Sequence, residues 1–384
     1  MKDKPRKRVL VAFGGRSCEH DISIITGVLV LNSLPKDEYE PLPVYITESG
    51  WFTGEQAFDL AFFKGRDTGK MKKILPMLGE GRICVLSGKR LKDVGEVYCA
   101  VNCLHGLNGE DGSFAGVMRM CNIPLSSPDM LASSVFMDKA ASKVFLEGMG
   151  VPCLPYKVIK NKAFFQNRGL ILNLTERQIG FPCIVKPARL GSSIGIKRAS
   201  TKAELALAIE HALRYDGKII VERALDGFVE INCAAFRSGG RVIVSECERP
   251  IASGDVLTFA DKYKSGLKQQ AIREFPANIS EQLSRKIRDI TACVYRKMGI
   301  SGIVRMDFLL CNNEVYLNEV NTVPGSLALY LFKQKTSEYS ELLKELIEEG
   351  VREHRDYESG TFTYPTDVLN GIGSKHCAAK RSTN

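Results

Sequence analysis

The stretch Val304–Asn321, VRMDFLLCNNEVYLNEVN, constrains this chain more tightly than any other. It reads as two apolar-rich strands around a polar turn. Residues two apart in a strand share a face, so Met306, Phe308 and Leu310 point one way and Arg305 with Asp307 the other, while Glu319 and Asn321 form a second polar pair. If Asp307 lies opposite Glu319, two carboxylates and an amide converge, and like charges so placed need a counter-charge. A divalent metal would supply it; a solvated outer face with an Arg-Asp ion pair is the alternative. The shared face requires paired residue numbers with an even sum, hence a three-residue loop such as Asn312 to Glu314, or else a bulge. A bulge-free two- or four-residue loop would pair Asp307 with Asn318 and separate the carboxylates.

Around this hairpin, strand candidates alternate with helical stretches, the pattern of an α/β protein. RVLVAFGG, YEPLPVYIT, RICVLSG and YCAVNCLHG read as strands of a first domain, with a helix from about Asp21 burying Ile22, Ile25, Val28, Leu29 and Leu31. HGLNGEDGSFAG reads as a loop running into a helix at FAGVMRMCN. SSVFMDKAASKVFLEGMG reads as one helix, FPCIVKPARLGSSIGIKRAS as strand, turn and strand, and SELLKELIEEGVREHRDY as an amphipathic helix. We expect an amino-terminal domain over residues 1–127, a central one over 128–222 and a carboxy-terminal one over 223–359, followed by a mobile tail over 360–384. Residues 249–279 show little apolar periodicity and are expected to form a mostly irregular lid.

With 384 residues the chain can build two or three cores. Its twelve cysteines include no CxxC, and no secretory signal is evident, so reduced cytoplasmic thiols are expected. The longest apolar run, ISIITGVLVL, falls short of the roughly 20 residues that span a bilayer. The net charge of +9 sits largely in the two ends and in loops such as GKMKK, which suits anionic small molecules as well as it suits nucleic acid. The expected partners are small molecules, with neither nucleic acid nor membrane.

KPARLGSSIG supplies a second chemical clue. Gly191 permits a tight turn, the amides and hydroxyls of Ser192 and Ser193 can face phosphate oxygens, and Lys186 adds a cation at the base. A cationic Gly-rich loop together with an acidic metal face are parts that nucleotide phosphoryl transfer requires, and GxxxxGK[ST] is absent, which excludes a P-loop. In order along the chain, GGRSCEHDIS, HGLNGEDGSFAG, MDK, IVKPARLGSSIG, IIVERAL, DKY, RMDF and NEVNTVPG resemble the ATP-grasp superfamily and, within it, the D-alanine-D-alanine ligases, from about Arg8 to Leu331.

The resemblance implies a three-domain ATP-grasp architecture, α/β with a Rossmann-like amino-terminal domain and α+β in the ATP-grasp part. It also implies a homodimer and a cytoplasmic role in peptidoglycan precursor synthesis. ATP would phosphorylate the carboxylate of one D-alanine, and the amine of a second would attack the acyl phosphate. By the same analogy Asp307, Glu319 and Asn321 hold two Mg2+ or Mn2+ ions, and Arg305 stabilises the acyl phosphate and the tetrahedral intermediate. Lys139, Lys186 and Lys262 would neutralise the triphosphate, with Ser193 in the phosphate loop. Glu222 would accept from the adenine amino group, backbone near Ala224 and Leu225 would line the ring, and Glu230 would bind ribose. Glu19 would bind the first substrate's ammonium beside His105, in a hydrogen-bonded set with Ser192 and Tyr263 that closes the site against water.

The resemblance also implies that Tyr263 at the lid, where D-alanine-D-lactate ligases carry histidine, goes with an amine nucleophile rather than D-lactate. On the carboxy-terminal side, PGSLALYLF places Tyr330 where many family members carry a serine, so Gly325 and Ser326 become candidates for binding the second substrate's carboxylate. D-alanine is the expected second substrate and D-serine the runner-up, with another ATP-grasp carboxylate-amine ligase or a non-enzymatic nucleotide-binding regulator as the remaining readings.

Overall fold

A computed structural model describes residues 5–251, 273–368 and 370. The first sheet grows around β1 (Lys7–Gly14), whose Val9 to Phe13 are all fully buried, as expected of a parallel strand covered on both faces. Strands β2 (Tyr39–Thr47) and β7 (Cys99–Asn102) flank it in parallel, and β8 (Leu125–Ser126) runs parallel to β7. Val9, Val11 and Phe13 pack against Ile24, Val28 and Leu31 of helix α1 (His20–Ser33). The alternate residues Leu10 and Ala12 pack with Phe114 and Met118 of α2 (Ser113–Met120). The period of two along one strand thus sends the two helices to opposite faces.

Beyond β2 the sheet continues as an antiparallel ribbon of β3 (Gly50–Thr53), β4 (Lys72–Met77), β5 (Arg82–Ser87) and β6 (Arg90–Glu96). Sequence reading recovered β5 and missed its neighbours, because β6 is mostly solvent-exposed and carries no apolar alternation. Within α1, Ile25 and Leu29 are only half-buried, and Ile24 and Val30 take the core positions expected of them. The single helix expected over SSVFMDKAASKVFLEGMG is two, α3 (Met130–Met137) and α4 (Lys139–Gly148). Asp138 between them leaves helical geometry, with φ −91° and ψ 102°, and its carboxylate accepts from the amides of Ala140 and Ala141. An aspartate able to cap a new helix ends the old one.

The second sheet holds β9 (Tyr156–Lys160), β10 (Cys183–Pro187), β11 (Lys197–Ala199) and β12 (Lys218–Arg223), in the order β11-β10-β12-β9. Helices α6 (Arg168–Ile179) and α7 (Lys202–Ala212), which α5 (Asn161–Gln166) precedes, cover Cys183, Val185, Ile219 and Val221. The opposite face therefore carries Ile184, Lys186, Ile220 and Glu222, with Ile184 paired to Glu222 and Lys186 to Ile220.

The third sheet runs β14-β13-β17-β18, made of β13 (Val229–Ser238), β14 (Arg241–Val244), β17 (Val304–Cys311) and β18 (Glu314–Asn321). Helix α8 (Glu281–Lys297) closes one face over Ile231, Cys233, Met306, Phe308 and Leu317, leaving the polar face open. A short pair, β15 (Arg249–Pro250) with β16 (Arg273–Glu274), falls inside the expected lid of residues 249–279. Residues 252–272, with Lys262 and Tyr263, lie outside the described residues. Helix α9 (Tyr339–Glu358) packs its apolar stripe into the core shared with α1 and β1.

Candidate active site

The β17–β18 hairpin has a two-residue turn and still achieves the even register. Cys311 pairs with Glu314 around Asn312 and Asn313, both left-handed at φ 50° and 63°, as a tight hairpin turn demands. Pairing then runs Leu310 to Val315, Leu309 to Tyr316 and Phe308 to Leu317, before a shift that sets Asp307 opposite Glu319. Asn318 is the extra residue of a β-bulge. The bulge is the second of the two solutions the sequence allowed, and it puts Arg305, Asp307, Glu319 and Asn321 on one face.

On that face Arg305 grips Asp307 with two parallel bonds, Nε to Oδ1 at 2.7 Å and one Nη to Oδ2 at 2.8 Å. Asn321 Nδ2 donates to Asp307 Oδ2 at 3.0 Å. Across the strand pair Glu319 accepts from Lys139 Nζ at 2.9 Å, and the same ammonium donates to the Leu190 carbonyl at 2.8 Å. Burial alone would depress the Lys139 pKa, but Glu319 overcomes it and keeps the group charged. Among the described residues no three His, Cys, Asp or Glu side chains come together as a metal cluster. The two carboxylates and one amide of this face form an all-oxygen donor set suited to a hard cation that takes further ligands from phosphate and water.

Lys186 reaches from the second sheet to the third, donating to Asn318 Oδ1 at 3.1 Å and pairing with Glu222. Glu222 is 2% exposed and also pairs with Lys143 at 2.7 Å. Burial would raise its pKa; Lys186 and Lys143 reverse that and hold it at about 2, so Glu222 is ionised at any working pH. Both its oxygens are engaged by lysines here, Oε1 by Lys143 and Oε2 by Lys186. Sequence reading missed Lys143, since a helical lysine ordinarily reads as a solvated charge. Ala224 follows β12 and donates its amide to the Pro182 carbonyl at 3.0 Å, and Glu230 on β13 shares the polar face with Asn232, the partner of Asp307.

The Gly-Ser loop joins the amino-terminal domain to this site. Ser192 and Ser193 are left-handed, at φ 53° and 58°, a conformation that costs a non-glycine residue about 1–2 kcal/mol. The Ser192 hydroxyl donates to Glu19 Oε1 at the start of α1. A Cβ on Gly191 would lie 2.8 Å from Glu19 Oε2, so glycine is what lets the loop close on this carboxylate. Burial, then the nearby Glu110, raises the Glu19 pKa, while Ser192 and His105 pull it back. His105 is buried, with Nε2 2.9 Å from Thr26 Oγ1 and Nδ1 3.6 Å from Glu110 Oε1. Glu110 and Thr26 carried no signal in the sequence, since one lies in a Gly-rich loop and the other inside an apolar helix.

Thr26 continues the network by accepting from the Ser326 amide at 3.1 Å. Ser326, Leu327 and Ala328, just after Gly325, are three consecutive left-handed residues at φ 51°, 49° and 48°. Such a run survives only where its surroundings determine it, as Thr26 and the burial of Leu327 and Ala328 do here. The Pro-Gly turn and His105 are thus joined through Thr26, and the Gly-Ser loop and Glu19 through Ser192, with Glu19 within electrostatic reach of His105 and Glu319.

Comparison with known proteins decides what this constellation belongs to. A family described as D-ala D-ala ligase N-terminus matches residues 8–128, and one described as D-ala D-ala ligase C-terminus matches 145–348. The chain belongs to the D-alanine-D-alanine ligase family. The D-alanine--D-alanine ligase of Thermosipho melanesiensis is 34% identical over 352 residues, covering 90% of this chain and 94% of that protein. The D-alanine-D-alanine ligase structure from Coxiella burnetii shares the fold with a TM-score of 0.77 at 24% identity, covering 93% of this chain and 97% of its own. The VanG D-Ala:D-Ser ligase structure from Enterococcus faecalis does so at 0.73 and 24%, covering 91% and 100%, so the fold alone does not select the acceptor. Family membership also explains the ATP-grasp arrangement of two facing antiparallel sheets. No helix among the described residues is long and apolar enough to cross a membrane.

Proposed function

We propose that the residues assembled here carry out the reaction of the family, the ATP-dependent joining of D-alanine to D-alanine. The observation that carries the assignment is the even register of the β17–β18 hairpin, which gathers Asp307, Glu319 and Asn321 on one face, with Lys139 of α4 on Glu319 and Lys186 of the second sheet on the neighbouring Asn318. A carboxylate is a poor electrophile. Transfer of the terminal phosphoryl group of ATP to the carboxylate of the first D-alanine makes a mixed anhydride. The amine of the second D-alanine attacks its carbonyl, phosphate leaves, and the nitrogen loses a proton as the amide forms.

Asp307, Glu319 and Asn321 would hold Mg2+ or Mn2+, which supplies charge neutralisation to the phosphates. Lys139 and Lys186 bind the phosphates from the other side, in place of their present carboxylate partners. Arg305, fixed by Asp307, faces the acyl phosphate as it builds negative charge. Glu19 suits the first ammonium group, because the raised pKa of this buried carboxylate beside Glu110 marks a place short of positive charge. The Ser326 hydroxyl, at the turn after Gly325, takes the carboxylate of the second substrate, the Ser326 and Leu327 amides being already bonded to Thr26 and to the Pro324 carbonyl. Initial rates with D-alanine and D-serine as acceptors test this reading: D-alanine should be preferred, Ser326→Ala should raise the KM of the second D-alanine and leave that of ATP in place, and an unchanged second-substrate KM removes Ser326 from the site.

A further inference from the structure

A second buried polar group stands behind Arg305 and has no place in the reaction as described. Two of the five guanidinium donors go to Asp307, which leaves the rest of the group to be held from elsewhere. Tyr330 occupies that side. Its hydroxyl lies beside the Arg305 guanidinium and 3.5 Å from Oε2 of Glu248, a carboxylate only 3% exposed. Glu248 is in turn fixed by Asn232 Nδ2 at 3.2 Å and by Arg273 at 3.3 Å, and the Arg273 guanidinium stacks 4.5 Å over the Tyr330 ring. Asn232 pairs with Asp307 across β13 and β17, so the group closes on the strand that bears Arg305.

We propose that Tyr330 and Glu248 are positioning residues for Arg305, a polar relay that fixes the second edge of the guanidinium as Asp307 fixes the first. The direction of the relay follows from donor chemistry. Glu248, an acceptor when ionised, draws the tyrosine O–H toward itself, so the phenolic oxygen turns its lone pairs to the Arg305 N–H groups. Burial first, then Glu248, pushes the Tyr330 pKa up to about 12 against the pull of Arg305, which keeps the hydroxyl protonated and able to donate. Charge balances in pairs, Arg305 with Asp307 and Arg273 with Glu248. A guanidinium held on both edges does not reorganise as negative charge develops, and that is the property electrostatic catalysis needs.

This inference rests on Arg305 serving the acyl phosphate, so its test has one arm that does not depend on turnover. In protein labelled with 15N-arginine, the Arg305 Nη signals, identified by their loss in Arg305→Lys, should be resolved through slow rotation in the wild type and averaged in both Tyr330→Phe and Glu248→Gln. In the dipeptide assay each variant should lose roughly tenfold in kcat, about 1.4 kcal/mol, with the KM of ATP unchanged. The double variant should lose no more than the worse single one. A purely structural pair would instead give losses that multiply and a shifted ATP KM. Resolved Arg305 signals in both variants, or an unaltered kcat, overturn the relay, whereas averaged signals in a wild-type enzyme that makes no dipeptide overturn both the relay and the assigned reaction.

Discussion

Two hairpins face each other across the candidate site, and they hold their functional groups by opposite means. In β17–β18 the groups lie on the strands, the register brings them to one face where they bond to one another, and the left-handed residues are Asn312 and Asn313, which tolerate that backbone. In β10–β11 the groups lie in the loop, two serines carry the left-handed strain, and the loop is held by a residue far away in sequence, Glu19. The first hairpin is set by its own pairing and by β13 beside it, whereas the loop of the second is shaped by a distant residue it touches. Charges that must be ready before substrate arrives sit on the rigid element, and groups that have to meet the substrate sit on the adaptable one.

The largest expected break in this comparison is Arg305→Ala. It should lower kcat by roughly 10³-fold, because a rigidly placed guanidinium at developing phosphate charge is worth that much. ATP binding measured by calorimetry should change far less. Deleting Asn318 comes next. The deletion removes the bulge yet leaves Asp307 opposite Glu319, so the protein should fold and keep its metal dependence while the KM of ATP rises several-fold, the Lys186 contact to Asn318 being lost. Loss of metal dependence would show that the bulge does more than correct the register.

A smaller effect is expected at the loop. Glu19 has a raised pKa that the Ser192 hydroxyl partly lowers, so on acidification protonation should weaken D-alanine binding at a higher pH than an ordinary glutamate would. In Ser192→Ala the pKa rises further and the KM increase should begin at a higher pH, which a pH profile of KM for the first D-alanine measures. An identical profile in the variant would detach Ser192 from Glu19. The smallest effect is expected at the rigid turn: Asn313→Gly should raise stability by up to about 1 kcal/mol in urea titration and leave kcat alone, since glycine takes the left-handed conformation at less cost.

The same contrast governs what could be read in the sequence. Arg305, Asp307, Glu319 and Asn321 were legible because a period of two is a local rule and leaves only register to settle. The Gly-Ser loop was legible as a turn from its residues, whereas its contact with Glu19 was expected only through the family resemblance, because it joins segments far apart in sequence. Lys143, Thr26, Glu110 and Glu248 were not legible at all. Each is an ordinary residue in its own segment and gains a role only when another sheet or helix is laid against it, as Lys143 does on Glu222 and Glu248 on Arg273. The break at Asp138 was missed for a local reason, a capping aspartate inside an otherwise continuous helical pattern.

The account is tested most directly by incubating the purified protein with ATP, Mg2+ and D-alanine and measuring ADP and dipeptide together. It predicts D-alanyl-D-alanine and ADP in equal amounts, no product from L-alanine, and loss of both products in Asp307→Asn. Release of ADP without dipeptide, or full activity in Asp307→Asn, would contradict it.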